Sequence, residues 1–280
     1  MEIPPGWSVL EGQRPGRGAT RMRLRQPDGR PVEWSSWHHR RGLGLLDIRT
    51  RRPVEPNSRA TQVRTRWIAG LFAIGSVCFA VGSMPAIASQ LRDSAVGVFF
   101  VGSLFFTAAA YLQFHEASNA GPDIAGAQRT TRFARLRTES VGWWAAAIQL
   151  VGTVAFNVST LAAVPDLSVP GEQALMWAPD AFGSACFLLA SALALYEICP
   201  RVLCWTPASR EWWVAAVNVA GSVAFGVSAV AARIVPTTGE PANIDRVNAT
   251  TFVGAVLFLV GAVLLPAAVS GGRGTGSSGR

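Results

Sequence analysis

The chain contains no lysine: all 25 of its basic residues are arginine. Charged residues make up only 15% of it, and it has three histidines, two tyrosines and four cysteines. Each scarcity excludes something. Four cysteines in 280 residues do not make a disulfide framework. Cys78 and Cys186 sit in apolar runs, where cysteine packs as a small hydrophobe, and Cys199 and Cys204 are expected to stay reduced. The latter two are five apart rather than in a CxxC pair, and neither HExxH nor GxSxG occurs. Gly42 and Gly44 begin a GxGxxG pattern whose third place is Asp47, so a dinucleotide fingerprint is absent as well. No enzyme, no metal and no cofactor is expected. The first 66 residues hold no long apolar run, and the first such run is expected to direct insertion by itself.

What the chain does have is hydrophobic residues, half of the total, gathered into segments of about twenty. That length crosses about 30 Å of hydrocarbon at the rise of an α-helix. The segments are 67–89, 95–113, 142–164, 178–198, 212–233 and 247–269, with ionisable residues only at their ends: Asp180, Glu197 and Arg233. In lipid a helix satisfies its own backbone, so these runs predict an all-α polytopic membrane protein. Counting arginines on the two sides of six crossings gives 22 against 3, the poor side receiving only Arg92, Arg233 and Arg246. The positive-inside rule makes the rich side cytoplasmic and puts both termini there. Arginine without lysine fits a high-GC bacterial genome, so the expected location is a bacterial plasma membrane.

A repeat organises the spans. Trp67-x7-Gly75-Ser76-x2-Phe79, Trp144-x7-Gly152-Thr153-x2-Phe156 and Trp213-x7-Gly221-Ser222-x2-Phe225 share one spacing in the odd-numbered spans. The even-numbered spans carry Gly102-Ser103 with Phe106, Gly183-Ser184 with Phe187, and Gly254-Ala255 with Phe258. The unit is a helical hairpin used three times in the same orientation. Its glycines let helix backbones approach closely, and its tryptophans suit a headgroup belt that Trp143 and Trp212 are expected to reinforce. The resulting division is a cytoplasmic arginine-rich region and linker at 1–66, hairpins at 67–113, 142–198 and 212–269, cytoplasmic loops at 114–141 and 199–211, and a disordered tail at 270–280. Within the first part, the alternation of 21–25, the turn residues Pro27-Asp28-Gly29 and the resumed alternation at Val32 and Trp34 predict a small β-hairpin.

A two-span unit with a Phe100-Val101-Gly102-Ser103 step resembles the YrhK-like domain family. The second unit has Phe182-Gly183-Ser184 without the valine, and the third replaces the serine by Ala255. The resemblance implies a membrane hairpin fold and no catalytic residues.

Polar residues suggest the remaining sites. Gln149, Thr153 and Asn157 recur every four residues on one face of the third span, and Asn218 and Ser222 hold equivalent places in the fifth. Hydrogen bonds between helices are the leading reading of this seam, and a polar path through a carrier or channel is the alternative. Glu116 and Glu197 each stand fourteen residues after a repeat glycine and are expected to be exposed at helix exits; the third hairpin has Ala268 there. Asp93 and Asp245 suit helix N-termini. Trp34, Trp37, His38, His39, Arg40 and Arg41 form a basic aromatic cluster, expected to meet lipid or to pack within the small domain. A membrane-embedded enzyme or sensor is a third idea, whose sign would be a lipid-like ligand between Arg40, Arg41 and the loop with Arg132 and Arg135. The leading expectation is a non-enzymatic membrane protein, structural or binding through its arginine-rich face to anionic lipid headgroups, a protein partner or a second copy; nucleic acid is not expected, for want of a recognisable fold.

Overall fold

The computed structural model describes residues 3–12, 18–50, 52–55, 57–84, 92–121, 124, 135–163, 167–199 and 205–270. Six of its helices are long and apolar enough to cross a membrane. They are α2 (Arg59–Gly82), α3 (Arg92–Ser118), α4 (Val141–Ala162), α5 (Val169–Ile198), α6 (Arg210–Ala231) and α7 (Ile244–Ser270). Hydropathy locates a span by its apolar centre and misses polar turns that continue the helix. Hence α2 begins eight residues before the expected Trp67, and α5 begins at Val169, with a π-helical turn over Glu172–Trp177. Ser58, Ser140 and Ser209 cap α2, α4 and α6, each accepting a backbone N–H three residues on.

Each helix packs against its sequence neighbour, and α7 returns to α2, which closes a ring. Inside the pairs α2–α3, α4–α5 and α6–α7 the glycines meet. A Cβ on Gly75 would stand 3.0 Å from the Gly102 carbonyl oxygen, one on Gly183 3.0 Å from that of Gly152, and one on Gly254 3.1 Å from that of Gly221. Alanine is too large for such an approach, which is how helices associate tightly when burial from water does not drive them together.

The residue after each glycine points about 100° further round its helix, and there it serves the junctions between pairs. Ser103 bonds Thr160 across α3–α4 at 3.1 Å, while Ser184 and Ser222 donate to the Phe225 and Phe187 carbonyls across α5–α6. The α7–α2 junction is different. Ala255 stands where the serine would be, and the buried Ser76 hydroxyl has no hydrogen-bond partner.

Six phenylalanines, one from each helix, fill the centre. Phe79, Phe156 and Phe225 form a triangle with ring centroids 5.8–6.4 Å apart. Phe106, Phe187 and Phe258 form a second, with 5.7–6.3 Å spacings. The triangles are joined by the contacts Phe79–Phe106, Phe156–Phe187 and Phe225–Phe258 at 5.2–5.4 Å. Valines and leucines such as Val101, Val154, Leu189, Val230 and Val263 face outward and are exposed, as a lipid-facing surface requires.

The N-terminal part is an antiparallel four-stranded sheet in the order β1 (Ser8–Gly12), β2 (Arg21–Arg25), β3 (Pro31–Ser35), β4 (Leu46–Asp47). Met22, Leu24, Val32, Trp34, Leu45 and Ile124 form its core. Between β3 and β4 lies a short helix, α1 (Ser36–Arg41), which touches α3, α4 and α5 and caps one end of the bundle.

Several expectations are corrected. Trp143 and Trp212 are buried, and the Trp143 indole donates to Ser118 at 3.1 Å. Adjacent helix positions diverge by about 100°, so Trp144 and Trp213 stay exposed, as Trp67 is, and both donate to carbonyls six residues back. Cys199 is disulfide-bonded rather than reduced, to a partner outside the described residues. The side chain of Asp93, Arg132, Cys204 and the tail 271–280 also lie outside them.

Candidate functional site

The site is the end of the bundle that α1 covers. Ser35 caps α1 by accepting the His38 N–H, and Gly42, with φ of 70°, ends it in a left-handed turn that no side-chain-bearing residue adopts cheaply. This single turn and a half places Trp37, Arg40 and Arg41 over the centre of the six helices.

Arg40 reaches into the bundle and pairs with Glu197 near the end of α5, Nη2 to Oε2 at 2.9 Å and Nε to both carboxylate oxygens at 3.1 Å. The Ser36 hydroxyl donates to the same carboxylate at 2.7 Å. Gly142, in the first turn of α4, makes room for the pair: a Cβ there would come within 2.7 Å of Arg40 Nε. A second pair joins Arg64 of α2 to Glu116 of α3 at 2.9 Å. Glu116 and Glu197 are each only 2% exposed, which corrects their expected place at solvent-facing helix exits. The reason lies outside their own helices, because α1 and the extra turns of α2 supply arginines above them.

Arg41 has no such carboxylate within ion-pair distance among the described residues. It is 5% exposed, lies over the Trp37 ring at 4.2 Å, and its Nη1 has no hydrogen-bond partner. Burial, aided by the neighbouring Arg40, pushes its guanidinium down to about 9, so it is still a cation near neutral pH. His38 is pushed down from 6.5 to about 4, chiefly by burial. Its 3.9 Å approach to Glu211 is thus no ion pair at neutral pH, and its Nδ1 shares a hydrogen bond with Ser35 at 2.6 Å.

Two cavities flank α1. The outer one, about 850 Å³, opens between the sheet and the segment before α6; Glu11, Arg21, Glu33, His38, Cys199 and Glu211 are among its lining residues. The inner one, about 90 Å³, lies between α1 and the Phe106–Phe187–Phe258 triangle. Its polar lining is Arg40, Arg41, Gln113, Gln149, Ser191, Asn218 and Ser222, with no carboxylate. Trp37 and Ile198 line both.

The sequence seam divides here. Gln149, Asn218 and Ser222 reach the inner cavity, with Phe72 at the equivalent place of α2. Thr153 and Asn157 do not line it: Thr153 is fully buried and donates to the Leu150 carbonyl at 2.7 Å, and Asn157 donates to Thr107 of α3 at 2.9 Å. Asn218 also donates to the Val214 carbonyl, at 2.6 Å. Sequence reasoning passed over Gln113, Arg64, Ser36 and Gly142. The only signal available was an excess of arginine close to two glutamates at matching repeat positions.

Comparison with protein-family models, with curated proteins and with solved structures finds no match.

Proposed function

We propose that the chain is a non-enzymatic, multi-pass protein of a bacterial plasma membrane that holds a small polar solute in the inner cavity, entered from the cytoplasmic side. The observation that carries this is the cavity itself, a space between α1 and the bundle where two arginines and three amides converge among apolar walls. Charged and polar groups gathered inside a membrane bundle are costly to keep there, which makes such a cluster a candidate functional place. On this reading the bundle is three YrhK-like hairpins in one orientation, and exposed arginines such as Arg23, Arg25, Arg49 and Arg66 meet anionic headgroups. A carrier or channel is the second reading, favoured by Gln149 and Asn218 at equivalent places; passage would require both phenylalanine triangles to part.

Cysteine accessibility tests the reading. With Cys78 and Cys186 replaced by alanine, Gln149→Cys is expected to react with a small water-soluble thiol reagent in vesicles, and Phe156→Cys, in the farther triangle, is not. No reaction at Gln149→Cys would mean a dry centre and a purely packing role for the seam. Reaction at both positions would favour the channel.

A further inference from the structure

The inner cavity has a sign. Arg40, Arg41 and Arg64 meet at this end of the bundle, and two buried carboxylates, Glu197 and Glu116, pair with the first and the last of them. Those two stand at matching repeat positions, and the third such position is Ala268. Glu116, Glu197 and Glu211 act on Arg41 only from a distance: among the described residues it makes no ion pair, and its buried Nη1 has no hydrogen-bond partner.

A buried charge is tolerated when it is paired and hydrogen-bonded, and an unpaired one is strongly unfavourable. The alternative escape, loss of the proton, is not taken near neutral pH, because Arg41 is lowered only to about 9. The space beside it is lined by two arginines and by the uncharged amides of Gln113, Gln149 and Asn218, and by no acidic residue. Such a lining repels cations and offers N–H donors to a negative guest. Its free volume, about 90 Å³, exceeds what a single bound water needs and admits a small guest.

We infer that the inner cavity is a binding site for a small monovalent anion, of the size of chloride, nitrate or formate, with Arg41 as its charged ligand and the amides of Gln113 and Gln149 as neutral donors. This rests on reading the cavity as a solute site and adds the class of solute.

The experiment uses the whole protein in detergent, in a buffer whose only anion is gluconate, titrated with chloride, nitrate or formate while thermal unfolding is followed. A ligand that binds only the folded state raises the unfolding temperature in a saturable way. The wild type is expected to show such saturation, and Arg41→Gln to lose it, with apparent affinity at least tenfold weaker. In gluconate Arg41→Gln is expected to be no less stable than the wild type, since it removes an unpaired charge. If the arginine were only a clamp on Trp37, the variant would be less stable and its response to anions unchanged, which would overturn the inference. Gln149→Glu gives a second handle should Arg41→Gln fail to fold. It provides an internal carboxylate and should abolish the anion response while keeping the fold; a retained response would count against the site. A reactive Gln149→Cys together with no saturable anion effect would leave a solute cavity of another specificity, whereas an unreactive Gln149→Cys removes the cavity reading altogether.

Discussion

The two layers of the bundle interior follow opposite rules. At the phenylalanine triangles each pair of helices contributes the same residues, Gly and Phe at one spacing, and the contacts repeat with centroid distances that agree to within 0.6 Å in each triangle. At the α1 end the repeat is broken at nearly every place: Phe72, Gln149 and Asn218 occupy one position, Gln113, Ala194 and Leu265 another, Glu116, Glu197 and Ala268 a third. Identical contacts maintain a fold. Unequal ones make a chemical direction: two arginines and the amides of Gln113, Gln149 and Asn218 line the inner cavity there.

Three substitutions put the contrast under strain. The largest effect is expected at the asymmetric end, where Glu197→Ala would strand Arg40 in a buried place; breaking such a pair costs about 3–5 kcal/mol. Equilibrium unfolding in detergent measures it, and a loss below about 1 kcal/mol would mean that α1 is not seated by this pair. Next come the triangles. Phe79→Ala, Phe156→Ala and Phe225→Ala should each lose about 3 kcal/mol, and the three values should agree to within about 1 kcal/mol, as equivalent places demand. A wide spread would show that their equivalence is one of shape and not of energy. The smallest effect compares hydroxyls. Ser222→Ala should lose about 0.6–1 kcal/mol with its bond across α5–α6, while Ser76→Ala, which removes an unpartnered hydroxyl, should be neutral or stabilising. Equal losses at both serines would erase the distinction drawn between the α5–α6 and α7–α2 junctions.

Much of the scaffold was open to reading from the chain. Runs of about twenty apolar residues have few other uses, so the six long helices were visible, and glycines four residues before a phenylalanine announced a packed face. Their ends were less visible, because the polar first turns of α2 and the π-helical start of α5 carry no hydropathy signal. The site was harder. Glu116 and Glu197 looked like helix exits because burial depends on what lies above them, and nothing local says that Arg40 folds back over α5 across more than 150 residues of chain. The edge strands Ser8–Gly12 and Leu46–Asp47 were missed for a related reason: a short edge strand is defined by its neighbour more than by its own alternation. Trp143 and Trp212 misled because an adjacent pair of identical residues hides which of the two faces inward.

The position of Arg41 beside Arg40 on one short helix has a kinetic meaning. Arg40 seats α1 through Glu197, Trp37 on the same helix belongs to the walls of both cavities, and Arg41 supplies the charge. On the proposed reading, anchor, partition and ligand are thus one helical piece of fewer than seven residues. A guest of the inner cavity that leaves by way of the outer one would have to wait for that piece to lift, so its dwell time would be set by the strength of the Arg40–Glu197 anchor, and weakening the anchor would shorten the stay without altering any group that the guest touches.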